Sequence, residues 1–121
     1  MPRNQPDPRS LLPLSAPIFG ILLAIGDSKQ HGYGIMQALN DKTRGQERIL
    51  PGSLYTSIAR MVEDGLLEEL PSPAGATSGG PRRRYYRRTR FGTDVAAAES
   101  KRMRMLVKLA RSERILGGSA T

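Results

Sequence analysis

Pro51-Gly52-Ser53-Leu54-Tyr55-Thr56-Ser57-Ile58-Ala59-Arg60-Met61-Val62-Glu63-Asp64-Gly65 is the stretch whose reading decides the fold. Proline fits the first helical position, where a missing N–H costs nothing, and glycine is the usual stop past the last turn. At about 100° per residue, Leu54, Ile58, Met61 and Val62 share one side of the helix. Ser53, Thr56 and Arg60 lie opposite, joined by Ala59 and Glu63. That outer face is slim and polar at its start, with one arginine a turn further on. A helix that enters a nucleic-acid groove needs such residues, because bulk would hold it away from the base edges. An ordinary solvated helix face is the plainer reading of the same pattern. Tyr55, at the edge of the apolar stripe, is open to both packing and phosphate contact.

Downstream, Leu66–Leu70 reads as a strand, 71–81 as a Pro/Gly/Ser-rich loop, and Arg82–Thr89 as a second strand. Together they form a hairpin. Pro81 to Arg90 places six arginines and two tyrosines in ten residues. Residues 1–81 carry seven basic against eight acidic side chains, whereas 82–121 carry twelve against three, so the net charge of +8 is concentrated. Guanidinium groups stay ionised and pair bidentately with phosphate, which makes a polyanion the first partner to consider. Arg82, Arg83 and Arg84, nearest the hairpin tip, are the better phosphate candidates than Arg87 and Arg88. Alternation sets Arg82, Arg84, Tyr86 and Arg88 on one face and Arg83, Tyr85, Arg87 and Thr89 on the other. One tyrosine of the pair is expected to pack on the core.

Upstream, residues 1–13 are polar and Pro-rich and read as a disordered arm. Ser15 is placed to cap a helix that is apolar nearly all round through Ile25, hence expected to be buried, with Gly26-Asp27 as its stop. A second helix is expected over His31 to about Thr43, with Tyr33, Ile35, Met36 and Leu39 as its stripe. Gly32 and Gly34 in its first turn imply close packing or close backbone approach to a ligand. His31 suits a cap or packing role as well as a functional one. A short extended segment, Glu47–Leu50, leads into Pro51.

Phe91 to Leu116 reads as a final helix of about 26 residues, roughly 39 Å long. Val95, Ala98, Met103, Leu106, Leu109 and Ala110 mark its apolar side. A helix of that length outruns the core a small domain can offer, so a second copy of the chain is the expected cover, with folding back on its own domain as the other option. Among the helix cations Arg102, Arg104 and Lys108, Glu99 and Glu113 are expected to form surface pairs of little energetic weight.

The element order is helix, helix, short strand, helix, strand, loop, strand. That is a winged helix-turn-helix: a mainly α fold with a small β-hairpin (α+β), plus a long C-terminal dimerisation helix. The expected organisation is an arm over 1–13, a DNA-binding domain over 14–90, a dimerisation helix over 91–116 and a flexible tail over 117–121.

Ile21-Leu22-Leu23-Ala24, His31-Gly32-Tyr33-Gly34-Ile35, Pro51-Gly52-Ser53-Leu54-Tyr55, Glu63-Asp64-Gly65-Leu66-Leu67 and Arg83-Arg84-Tyr85-Tyr86-Arg87-Arg88-Thr89 together resemble the PadR-like family of bacterial transcriptional regulators. The resemblance covers about residues 17–110. It implies a homodimeric repressor of a roughly palindromic operator. Helix 51–64 would lie in the major groove, the 71–88 wing on the backbone or minor groove, and the C-terminal helix in the dimer. It further implies that Tyr55 takes the place of a DNA-contacting tyrosine, and that Tyr33 and His31 lie near the phosphates. The single C-terminal helix matches the short subgroup, some of whose members hold flat aromatic ligands with a tryptophan of that helix. This chain has no tryptophan, which counts against such a site and leaves any small-molecule effector unidentified.

Other chemistries find little material. There is no cysteine and one histidine, which removes thiolate metal sites, disulfides and most triads. With scattered carboxylates and no phosphate-cradling loop, neither an enzyme nor a cofactor or metal site is expected. Arg3 and Arg9 ahead of Leu11–Ile25 outline a signal peptide. Three prolines and Asp7 in the first ten residues, then Pro13 and Pro17, argue against it, and the apolar run is too short to span a membrane. A cytoplasmic regulator bound to double-stranded DNA is the expectation. The alternative is a basic winged-helix interaction module that docks on an acidic protein or membrane surface.

Overall fold

The computed structural model describes residues 6–71 and 84–117. The element order is a short 3-10 helix Pro8–Leu11, α1 (Ala16–Ile25), β1 (Gln30–His31), α2 (Gly32–Lys42), α3 (Pro51–Glu63), β2 (Leu67–Leu70), β3 (Tyr85–Arg88) and α4 (Arg90–Ser112). This is a mostly helical winged helix with a small antiparallel sheet, as the order of motifs implies. The sheet has three strands in the order β1-β3-β2; the strand that joins the hairpin is β1, ahead of α2, and the short strand expected over 47–50 is not formed. The two residues of β1 pair as Gln30 with Tyr86 and His31 with Tyr85. Two residues are too few to show an alternating pattern, so this strand has no sequence signature.

Local chemistry fixes the helix ends. The Ser15 hydroxyl accepts the Ile18 N–H, and Gly26 closes α1 at φ 58°, a left-handed conformation that favours glycine. α1 is apolar all round but not buried all round. Ile21, Leu22, Ala24 and Ile25 face the core while Leu23 is exposed. α2 starts one residue later than expected, at Gly32, because His31 serves as its cap. α3 runs from Pro51 to Glu63, with Leu54, Ile58 and Met61 buried and Gly65 beyond its end at φ 79°. The core gathers these side chains with Ile35 of α2, Leu66, Tyr86 and Val95.

α4 begins where the hairpin ends. The Thr89 hydroxyl accepts the Gly92 N–H at 2.8 Å and itself donates to the Gly65 carbonyl at 2.6 Å. Gly92 is buried against the backbone carbonyl of Leu66, and a Cβ there would collide with it. Arg88 is a structural residue: its guanidinium donates to the Leu22 carbonyl at 2.9 Å, to Asp27 at 3.0 Å and to the Thr93 hydroxyl at 2.9 Å. It thereby ties β3 to the C-terminal end of α1 and the first turn of α4, where a cation also suits the helix dipole of α1.

Four expectations need correction. The disordered arm is, in its described part, a capped 3-10 helix packed on α4, with Leu11, Leu12 and Leu14 against the core. Val95 is wholly buried in the protomer's own core, so it is not available to a partner chain. Glu99 is not a surface residue: it is 0% exposed. One of its oxygens accepts the Leu14 N–H at 2.9 Å, and the Arg102 guanidinium donates to both, at 2.6 and 3.1 Å. α4 also stops at Ser112, a turn short of the expected end.

The Arg102 hydrogen bonds hold the Glu99 carboxyl below its ordinary value; burial opposes this, and the Leu14 N–H adds to the lowering. A carboxyl lowered on folding contributes stability that is fully present above the ordinary carboxylate range and is lost as pH falls through the folded value. Glu99→Gln keeps the shape and removes the charge. It is expected to cost about 1–3 kcal/mol at neutral pH and to flatten the acid limb of the stability curve. Urea titrations from about pH 3 to pH 7 check this.

Candidate nucleic-acid interface

α3 turns its slim face outward. Ser53, Thr56 and Arg60 are exposed, as are Gly52, Ala59 and Glu63. Arg60 leans back on Asp64 one turn later, at 3.4 Å. Both groups are solvated and such a pair is weak, so the guanidinium can be redirected to another anion.

Beside this face lies a cleft of about 800 Å³ between the start of α2, the flank of α3 and the sheet. Its floor is Ile58 and Val62; Tyr33, Tyr55 and Tyr86 contribute rings; Glu69 and Arg84 stand at the sheet side. Tyr33 and Tyr55 are 55% and 53% exposed. Tyr55 packs and stays half exposed at once. One side of its ring packs on Gly32, where an added Cβ would come within 2.7 Å of the ring, and the rest faces solvent. The costly glycine at the helix start is thus explained by close packing. Gly34 is explained likewise, by the Gln30 side chain folded over it.

His31 lines the same cleft, with its ring already engaged. Its Nδ1 accepts the Gly34 N–H at 3.0 Å and its edge meets the Tyr85 ring at a centroid distance of 5.5 Å. Of the two hairpin tyrosines, Tyr86 is the buried one and Tyr85 the half-buried one. Burial pushes the Tyr86 hydroxyl above its ordinary value, the Glu69 carboxylate adds to the rise, and Arg84 opposes it. The phenol therefore stays protonated and able to donate.

Arg82 and Arg83 lie outside the described residues. Arg84 is described: it is exposed, with its Nε 3.7 Å from the Glu69 carboxylate. On the other face of the sheet Arg87 donates twice to Glu68, at 2.9 and 2.8 Å. The two β2 carboxylates are thus the ionic neighbours of Arg84 and Arg87, which a count by charge blocks does not reveal. The signal was available in the hairpin register, which sets Glu68 against Arg87 and Glu69 against Tyr86.

Further along α4, Met103, Leu106 and Leu109 are exposed, while Ala98 and Ala110 are partly covered. Met105 and Val107, absent from the expected set, are exposed as well. Among the described residues there is no helix long and apolar enough to cross a membrane. There is likewise no group of His, Cys, Asp and Glu that could hold a metal ion.

Residues 21–98 match the family model described as the transcriptional regulator PadR-like family. No curated protein matches the sequence. Among solved structures, a transcriptional regulator from Clostridium thermocellum is 21% identical, with a TM-score of 0.68 over 82% of this chain and 96% of that one. A PadR family transcription regulator from Clostridium difficile is 22% identical, with a TM-score of 0.67 over 81% of this chain and 97% of that one. Bacillus subtilis PadR, solved in complex with operator DNA, is 14% identical, with a TM-score of 0.60; the match covers 71% of this chain and 47% of that one. At such identities the structural likeness establishes the fold, while the family match rests on the sequence itself.

Gly32→Ala is expected to swing the Tyr55 ring outward instead of unfolding the domain, because the ring is half exposed and can move. The stability cost should be about 1 kcal/mol. Loss of NOEs between the Tyr55 ring and the backbone of residue 32 checks this, and their retention would mean that the start of α2 moves.

Proposed function

The chain belongs to the PadR-like family of transcriptional regulators, and from that premise we propose that it is a homodimeric repressor of a roughly palindromic operator. The family is one of DNA-binding regulators, not of enzymes. The observation that carries the finer reading is the outer face of α3. Ser53, Thr56 and Arg60 form a slim, polar, exposed strip, flanked by the half-exposed rings of Tyr33 and Tyr55 and by Arg84 just ahead of β3, at the loop end of the hairpin. In this reading α3 enters the major groove, and Ser53, Thr56 and Arg60 meet base edges or nearby phosphates. Tyr33, Tyr55 and the arginines Arg82, Arg83 and Arg84 meet the backbone. His31 acts indirectly, as the cap that sets where α2 begins and so where Tyr33 stands. Phosphate contacts supply affinity and its salt dependence, and α3 supplies the choice of sequence.

Dimerisation is supported by the outer half of α4. Met103, Leu106 and Leu109 leave the core as an exposed apolar strip, and a second copy of the same helix is the symmetric cover for it. Two copies of α3 would then address half-sites about 34–36 Å apart. A small-molecule effector, if the regulator uses one, does not rest on a tryptophan sandwich, because the chain has no tryptophan. Membership of a DNA-binding family favours duplex DNA over an acidic protein or membrane surface as the partner.

Fluorescence anisotropy with a duplex from the region upstream of the gene and a scrambled duplex tests the reading. A gap of about 10³-fold at physiological salt is expected; equal, weak, salt-sensitive binding of both would count against sequence-specific recognition. Arg83→Ala should lower the magnitude of the log K against log salt slope by about 0.9 for a lost phosphate contact. Thr56→Ala should shift preference among operator variants and leave that slope in place. For the dimer, Leu106→Glu is expected to convert the protein to monomers in sedimentation velocity, with a cooperative melt retained.

A further inference from the structure

Glu69 is a carboxylate beside the arginine that the proposed duplex-binding face offers to phosphate. It lines the same cleft as Tyr55, Ala59, Arg84 and Tyr86 and stands opposite Tyr86 in the strand register. Its oxygen lies 3.7 Å from the Arg84 Nε, with the two side chains 44% and 71% exposed. That separation is an ion pair without a hydrogen bond. The guanidinium lies beside the carboxylate in a weak, solvated pair, and the carboxylate does not take up its Nε donor. The neighbouring pair is built differently: Arg87 gives two short hydrogen bonds, at 2.9 and 2.8 Å, to Glu68, as a settled salt bridge does.

We propose that Glu69 is a tuning residue for DNA affinity, a phosphate surrogate that draws Arg84 to the loop end of the hairpin strands and competes with the DNA backbone for it. This rests on the reading of the α3–hairpin face as the duplex-binding surface. When a phosphate takes Arg84, the Glu69 carboxylate loses its partner and faces a second anion, so its charge opposes every complex in which Arg84 engages the backbone. The effect falls on a phosphate contact and not on a base edge, so it lowers affinity for all sequences by the same factor. Glu69 thus restrains non-specific binding of a chain with net charge +8 without taking part in sequence choice.

The test is anisotropy with the operator duplex and a scrambled duplex across a salt series, using the full-length protein. Glu69→Gln is expected to raise affinity for both duplexes by about two- to fivefold at low salt, the range of an exposed ion pair. The ratio between duplexes should stay constant and the salt slope should steepen by at most about 0.9. Glu69→Asp, which keeps the charge, should stay near wild type. In an Arg84→Ala background the gain from Glu69→Gln should shrink below about 1.5-fold, because the two residues are coupled. Glu68→Gln, with the same change in net charge, should give a smaller gain. A thermal melt confirms that each variant is folded.

If wild-type protein binds neither duplex, the reading of the face is wrong and the proposal falls with it. If wild type binds while Glu69→Gln leaves affinity unchanged, this proposal alone is overturned. A gain from Glu68→Gln equal to that from Glu69→Gln, or a gain undiminished without Arg84, also overturns it, because either means a general charge effect.

Discussion

The relation between α3, the hairpin and α4 is set where the Leu66 backbone passes Gly92. The Leu66 carbonyl occupies the space a side chain at Gly92 would need. Its N–H donates to Met61 at the end of α3 and its carbonyl accepts the Thr89 N–H. Thr89 adds a hydroxyl bond to Gly65 and caps α4 through Gly92. Within a few residues the end of α3, the start of β2, the end of β3 and the start of α4 are therefore joined by backbone contacts. Packing of this density transmits displacement instead of absorbing it. The angle at which α3 and the hairpin face a duplex, relative to the helix that would join two copies, depends on this one crossing.

The arginines of the hairpin divide according to what the fold already asks of them. Arg88 is spent on Leu22, Asp27 and Thr93, and Arg87 on Glu68. Arg84 keeps a long contact with Glu69. A charge count in the sequence treats them as equal, but the alternation of a strand and the register of its partner do not. A residue that faces the core side of β3 near α1 finds carbonyls to hold, while one beyond the strand end faces the cleft. The gradient from structural to available cation thus follows the distance from the α4 junction, and it makes the hairpin base rigid where its outer part carries charge.

What the sequence disclosed and what it withheld follow from how local each signal is. Pro51 and Gly65 bound α3, and Leu54, Ile58 and Met61 point it inward, all within one segment; helices marked this way are legible without any partner. The same holds for Ser15 on α1 and for the hairpin, whose strands meet across a single loop. β1 is two residues that are a strand only because Tyr85 and Tyr86 lie beside them, so nothing in Gln30-His31 announces it. Glu99 looked like a surface acid on a charged helix because its partner in the core, the Leu14 N–H, is 85 residues away. The packing of Tyr55 on Gly32 was half legible: the glycine signalled a close approach, but only the fold shows that a ring from α3 makes it.

Glu99 also marks where α4 changes role. Val95, Glu99, Met103, Leu106 and Ala110 recur at intervals of three and four and therefore share one side of the helix. Val95 and Glu99 on that side are sealed, by the core and by the Leu14 segment respectively. Beyond Glu99, Met103 and Leu106 on the same stripe are exposed. The carboxylate and the Arg102 that closes over it form a polar stop between the two regions. A buried, fully paired charge of this kind adds little net stability over an apolar residue, but it disfavours registers that would strand it unpaired. A second copy sliding inward along the stripe would have to displace Arg102 and leave Glu99 without its partner. The uncovered segment beyond it therefore has a defined inner limit, which in the proposed dimer would bound how far two copies overlap and, through the crossing at Gly92, how far apart their α3 helices stand.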